Sequence, residues 1–155
     1  MNRNFKQRGK AVSKETPPEI YAGLIWERIP PELRSVLPKS KGDIERASAT
    51  VRLGYPTVAP ILPHLMRWLQ DRNWPVAEII APFLANIGAP LLPEIRTVLR
   101  SNDDIWIMWV LNELVKPRPD IFVNDLRDEL LALTHKRSEE EINVLAMEIL
   151  TARQP

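Results

Sequence analysis

The residues best equipped for chemistry in this chain are few and scattered. His64 and His135 are its only histidines. They fall in different expected helices or at helix ends, without the His-Glu-x-x-His spacing that aims two imidazoles at one metal ion. His64 reads as a surface or capping histidine rather than a ligand. There is no cysteine, which excludes disulfides, thiolate zinc sites and a thiol nucleophile. No Gly-x-Ser-x-Gly elbow is present, and the five glycines do not cluster into a phosphate-cradling loop. Carboxylates are grouped at Asp103-Asp104 and at Glu139-Glu140-Glu141, but both groups sit at expected helix starts, where the helix dipole favours negative charge by about 0.3–1 kcal/mol. Glu78 stands apart as the only charged residue between Val76 and Leu92. Apolar surroundings of that kind raise a carboxyl pKa towards a working range, although a buried donor or arginine beside it is the commoner arrangement. From these residues no enzyme activity, no metal and no cofactor are expected.

The aromatic residues offer more. Five tryptophans in 155 residues is a high count, and Trp68, Trp74, Trp106 and Trp109 crowd the middle of the chain. Trp74 precedes Pro75 at an expected helix start, and Trp106 lies in the first turn of a later helix. If the helices stack as repeats, equivalent positions line up along one face. Trp68, Asp71, Asn73, Trp74, Asp103, Asp104 and Trp106 would then form an aromatic ledge with a polar rim, the composition of a binding hot spot. Two structural readings stand beside it. Each indole fills space between helices by burying about 150–250 Å², and Asp71 and Asn73 suit a tight link because their side chains bond their own backbone.

The elements that must position these residues are helical. Period-2 alternation is missing, while apolar residues recur at helical spacing. An internal echo organises them: Leu53-Gly54-Tyr55-Pro56 and Ile87-Gly88-Ala89-Pro90 lie 34 positions apart. Val58, Ile61, Leu62, Leu65 and Leu69 follow the first; Leu91, Leu92, Ile95, Val98 and Leu99 follow the second. Glycine ends a helix in a left-handed cap and a nearby proline opens the next one, so a repeated corner of this kind marks a helical solenoid. Helices are expected over residues 19–28, 43–53, 55–70, 73–87, 90–100, 102–115, 120–133 and 138–152. Ser40 with Asp43, and Ser138 with Glu141, are spaced as capping boxes, Asn73 is read as the cap of its helix, and Pro60 and Pro63 should bend theirs. The stretch from Val76 to Leu92, and that from Ile105 to Val115, where only Glu113 is charged, are apolar nearly all round and should be inner members of the stack.

Composition sets the remaining bounds. A chain of 155 residues with 45% hydrophobic and 26% charged residues suits one globular domain. No run of 18 apolar residues is long enough to cross a membrane, and the basic N-terminus lacks the apolar stretch of a secretory leader. With no cysteine either, a reducing, cytoplasmic setting is expected. Net charge is +1 but unevenly placed. Arg3, Lys6, Arg8, Lys10 and Lys14 stand among the first 14 residues without an acid, while from Ser101 onward eleven acids face six bases. A basic arm can touch nucleic acid, yet the rest carries no basic stripe, so nucleic acid is disfavoured as a partner.

The Leu-Gly-x-Pro turns and paired helices resemble HEAT repeats. The run Trp68-Leu69-Gln70-Asp71-Arg72-Asn73-Trp74-Pro75-Val76-Ala77, with Leu37-Pro38-Lys39-Ser40-Lys41 before it and Asp104-Ile105-Trp106-Ile107-Met108-Trp109-Val110-Leu111 after it, resembles the bacterial domain of unknown function 5071 family. Ser40 and Ile107-Met108 depart from that family's usual residues, and the likeness covers residues 37–133. It implies an all-α, HEAT-like α-α superhelix, a right-handed solenoid of about seven helices, over residues 37–155. Residues 1–36 would then be an extension, partly disordered, with one short helix over 19–28. The function expected is a non-enzymatic interaction module for an unidentified protein partner. A toxin-neutralising, immunity-type protein and a HEAT-like nucleic-acid binder are the alternatives, both by fold analogy.

Overall fold

A computed structural model describes residues 16–135 and 139–152, and these contain helices and no strand. The first helix, α1, is a single turn, Pro31–Arg34. It is followed by α2 (Ile44–Leu53), α3 (Leu62–Met66), α4 (Pro75–Ile87) and α5 (Leu92–Leu99). Then come α6 (Asp104–Val110), α7 (Pro119–Phe122), α8 (Arg127–Thr134) and α9 (Glu140–Thr151).

Both glycine corners do what their residues require. Gly54 closes α2 with φ +71° and Gly88 closes α4 with φ +76°, a region that side-chain-bearing residues avoid. After each, a 3-10 turn with proline in its first positions, Ala59–Ile61 or Ala89–Leu91, leads into the next α-helix. The echo extends to packing, for α2 lies against α4 and α3 against α5. The corner itself is open: α4 and the segment after Gly88 meet at 110°, short of an antiparallel return.

Expected helices break where proline or a competing bond intervenes. The stretch 55–70 divides into the 3-10 turn Ala59–Ile61, α3 and a second 3-10 turn, Arg67–Gln70, because Pro60 and Pro63 each lack an N–H and fit only first-turn positions. The stretch 120–133 divides into α7 and α8, yet its apolar stripe of Phe122, Leu126, Leu130 and Leu133 is buried throughout. Beyond α6 the backbone widens into a π-turn, Leu111–Val115, where Lys116 N–H donates to the Leu111 carbonyl at 2.8 Å.

Two caps differ from expectation. Asp43 is itself the N-cap of α2 rather than the third residue of a box begun by Ser40. Its carboxylate accepts from the Arg46 and Lys39 backbone N–H groups at 3.3 and 2.9 Å. Burial alone would raise the Asp43 carboxyl, but those bonds and the Arg46 guanidinium hold it below its ordinary value. Asn73 does not cap α4. Pro75 takes the first helical position, which forces Trp74 before it into an extended conformation, and Trp74 becomes the cap residue with no side-chain bond. The Val76 N–H, which would be orphaned, donates to the Lys41 carbonyl at 3.0 Å. Ser138, the other expected cap, lies outside the described residues.

Each apolar stretch buries one face in the core without being enclosed all round, for Glu78 and Pro82 of α4 are exposed and Ile105 of α6 is 60% exposed. Val76, Ala77, Ile80, Ala81 and Leu84 of α4 are buried, as are Ile107, Val110, Leu111, Leu114 and Val115, and α4 packs on α2, on the 67–70 turn and on the π-turn. Residues before 37 also enter this core. Tyr21, Trp26, Ile29 and Leu33 are buried in the same cluster as Leu65, Leu69 and Leu84, and residues 19–28 form two 3-10 turns, Glu19–Tyr21 and Trp26–Arg28, in place of one helix. No single helix among the described residues is long and apolar enough to cross a membrane.

Candidate functional site

Of the residues expected to form an aromatic ledge, Trp68 is buried, Asp71, Trp74, Asp104 and Trp106 are half-buried, and Asn73 and Asp103 are exposed. Trp68 is 2% exposed. Its indole N–H donates to the Tyr21 hydroxyl at 2.9 Å, which in turn donates to the Pro38 carbonyl at 2.6 Å. Burial pushes the Tyr21 phenol upward, which keeps it protonated as that donor. Trp74 is half-buried and meets Trp68 edge-on, with ring centroids 5.9 Å apart. Trp106 is half-buried as well. Its N–H donates to the Met66 carbonyl at 3.0 Å, and the Arg67 guanidinium lies 5.4 Å from its ring centroid. Trp74 and Trp106 are thus pinned to the same short segment, residues 66–68, from two different helices. Asp71 accepts from the Asn73 N–H at 2.9 Å within its own turn, and Asp103 caps α6 through the Trp106 N–H at 3.0 Å. Asn73 is exposed, and Asp104 opens α6.

Two expectations are overturned. His64 is not on the surface. It is buried at 4% exposure against Tyr21 and Trp26, with ring centroids at 5.3 and 6.5 Å. Neither ring nitrogen has a hydrogen-bond partner among the described residues. Burial first, and the Arg67 charge second, lower its pKa to about 4, so the neutral imidazole is the form that fits. Glu78, conversely, is exposed in the first turn of α4; the apolar surroundings foreseen for it belong to the opposite face of that helix.

An ion cluster that the sequence did not suggest joins α5 to α8. Glu129 is buried at 7% exposure, and one of its oxygens accepts from Arg96 at 2.9 Å and from Arg100 at 2.6 Å. Arg96 also donates to the Asp125 carbonyl at 2.8 Å. Burial acts to raise the Glu129 carboxyl, but its hydrogen bonds and the two guanidinium charges outweigh it and hold the group below the usual carboxylate range. A second ion pair, Arg72 with Glu113 at 3.2 Å, ties the link before α4 to the π-turn. Each of these ion pairs joins segments distant in sequence, so the groups read as fasteners. Among the described residues no group of three His, Asp or Glu side chains has the placement to hold a metal ion.

A concavity with room for a ligand lies elsewhere, between α6, the π-turn and α9. It has a volume of about 420 Å³ and is lined by Met108, Asn112, Glu140, Glu141, Val144, Leu145 and Glu148. A smaller hollow of about 80 Å³ adjoins it, sharing Met108 and Glu141 and adding Asp104, Ile105, Glu139 and Ile142. α9 supplies one wall because it has two apolar faces. Ile142, Leu145, Ala146 and Ile149 point into the core, while Val144 and Met147, off that stripe, are 53% and 50% exposed. Ile105 at the mouth is 60% exposed. Of the expected ledge residues, only Asp104 borders this groove. Its other residues went unforeseen, although one signal was present: Val144 falls with Glu140, Glu141 and Glu148 at helical spacing, off the core stripe.

Fold and groove together define a class: an all-helical domain with repeated glycine corners and one open, acid-rimmed apolar cleft. The model of the domain of unknown function 5071 family (DUF5071) matches residues 36–150, and the chain belongs to that family. Among curated proteins none matches the chain.

Proposed function

We propose that this protein is a non-catalytic protein-interaction module on a HEAT-like frame, with the groove between α6 and α9 as its docking face. The observation that carries this reading is an apolar floor left open to solvent. Val144 of α9, 53% exposed and off the helix's core stripe, faces with Met108 and Leu145 a concavity of about 420 Å³, large enough to take several side chains of a partner. The stacking of α2 on α4 and of α3 on α5 after matching glycine corners supports the HEAT-like frame. A toxin-neutralising role is the same docking chemistry with a dedicated partner. The carboxylates around the groove disfavour nucleic acid, whose phosphates they would repel.

Site-directed photocrosslinking tests the assignment. A benzophenone side chain replacing Val144, in cells of the native host, should give a discrete adduct that is absent when the same group replaces Arg52 on α2. Adducts of equal yield at both positions, or none at Val144, would overturn it.

A further inference from the structure

The charge around the groove narrows the choice of occupant, given the docking role proposed for that face. Glu139, Glu140, Glu141 and Glu148 stand around the two joined hollows, with Asp104 at their far edge. No lysine, arginine or histidine lines either hollow among the described residues. Lys116 pairs with Glu148 at 3.3 Å, both side chains being more than half exposed. A floor of Met108, Val144 and Leu145 with carboxylates along its edge is apolar in the middle and negative at the rim. Methionine in such a floor adapts its shape to the side chain it meets.

We propose that the occupant is a basic amphipathic helix of a partner protein, with its apolar stripe on Val144 and Met108 and its lysines or arginines over Glu140, Glu141 and Glu148. This inference rests on the groove being a docking face. Three features of the site select that chemistry. An apolar floor running beside a helix accepts anchors spaced i, i+3, i+4 and i+7 from a second helix. α9 is 12 residues long, so about three turns of a partner helix match its length at 1.5 Å per residue. The carboxylate rim adds attraction for cations and repels acidic segments, which is how charged interfaces reject wrong partners. An anionic membrane surface would be repelled for the same reason.

The test uses the full-length chain and a fluorescein-labelled peptide of leucine and lysine, with leucines at i, i+3, i+4, i+7, i+8 and i+11, read by fluorescence anisotropy. A matched peptide with glutamine for every lysine is the charge control. Saturable binding of the lysine peptide is expected, weaker by about tenfold or more for the glutamine peptide, for Glu140→Gln with Glu141→Gln, and for Val144→Asn. Equal binding of the glutamine peptide would overturn the basic occupant while leaving the groove as a docking face. Binding untouched by Val144→Asn would place the peptide elsewhere and overturn both, as would no saturable binding of either peptide. The chain's own basic arm is the rival occupant. Replacing Arg3, Lys6, Arg8, Lys10 and Lys14 by glutamine should leave peptide affinity unchanged; a rise of about tenfold would assign the groove to that arm and overturn the partner reading.

Discussion

Two regions of this molecule are built from similar materials and finished in opposite ways. Tyr21 packs its ring against Trp26, His64 and Trp68, and Trp26 packs on His64, with centroids 5.3–6.5 Å apart, and every ring is nearly inaccessible. Between α6 and α9, apolar side chains face an open hollow. The first region closes because a segment far away in sequence, residues 19–29, lies over it and is fastened by the Tyr21 hydroxyl. The second has no such cover among the described residues. The lesson is that aromatic content alone does not locate a binding face; the location depends on whether the chain has already supplied the partner surface.

Variants can break or sharpen that contrast. Trp68→Ala should have the largest effect, since it opens a cavity in the closed region and deletes the hydrogen bond to Tyr21. A loss of about 3–5 kcal/mol is expected, read as a lowered midpoint in urea unfolding. Loss below about 1 kcal/mol would mean that the aromatic cluster is not a structural keystone.

Acid should reach the same region through His64. Its folded pKa of about 4 lies below the ordinary 6.5, so only the unfolded chain takes up the proton between those values. Stability is therefore full above about pH 6.5 and declines as pH falls towards about 4, by about 3 kcal/mol in all. Comparing unfolding midpoints of the native chain and His64→Leu at pH 7 and pH 4.5 checks this, because the variant should lose the part of the slope that His64 carries. A smaller effect belongs to Tyr21→Phe, which keeps the ring but leaves the Trp68 N–H without its acceptor and the Pro38 carbonyl without its donor. About 1–3 kcal/mol is expected, with fluorescence of the buried tryptophans changed in the folded state.

How far these regions could be foreseen differs for the same physical reason. Helix identity was legible because it is local: the stripes of Phe122, Leu126, Leu130 and Leu133, and of Ile142, Leu145, Ala146 and Ile149, are buried as their spacing indicated. Gly54 and Gly88 were legible too, since a left-handed cap needs glycine whatever the tertiary surroundings. The capping of α4 was not, because the acceptor for its first N–H is the carbonyl of Lys41, supplied by another part of the chain. The burial of His64 was illegible for the same reason. Its neighbours Tyr21 and Trp26 come from upstream of the family-like stretch, and a lone histidine carries no local mark of burial. Trp74 and Trp106 approach a common segment, residues 66–68, a long-range contact that their separate helix starts do not announce, and both stay half-buried. The groove was half-written in the sequence, as an apolar residue, Val144, off the core stripe of α9 beside a run of glutamates whose place at a helix start the helix dipole also favours.

The smallest stability effect should come from the open region, and that makes it the sharpest test of the contrast. Val144 is 53% exposed and lies outside the core stripe of α9, so Val144→Asn removes little buried surface. Asparagine and valine also have similar helix propensities. The change should stay within about 0.5 kcal/mol, or about 1–2 °C in Tm. A fall as large as that of Trp68→Ala would mean that the α6–α9 face is closed in solution and that Val144 is a core residue. A near-zero shift, combined with loss of the lysine peptide, would separate the two regions cleanly: one aromatic cluster spent on folding, one apolar face left available for another chain.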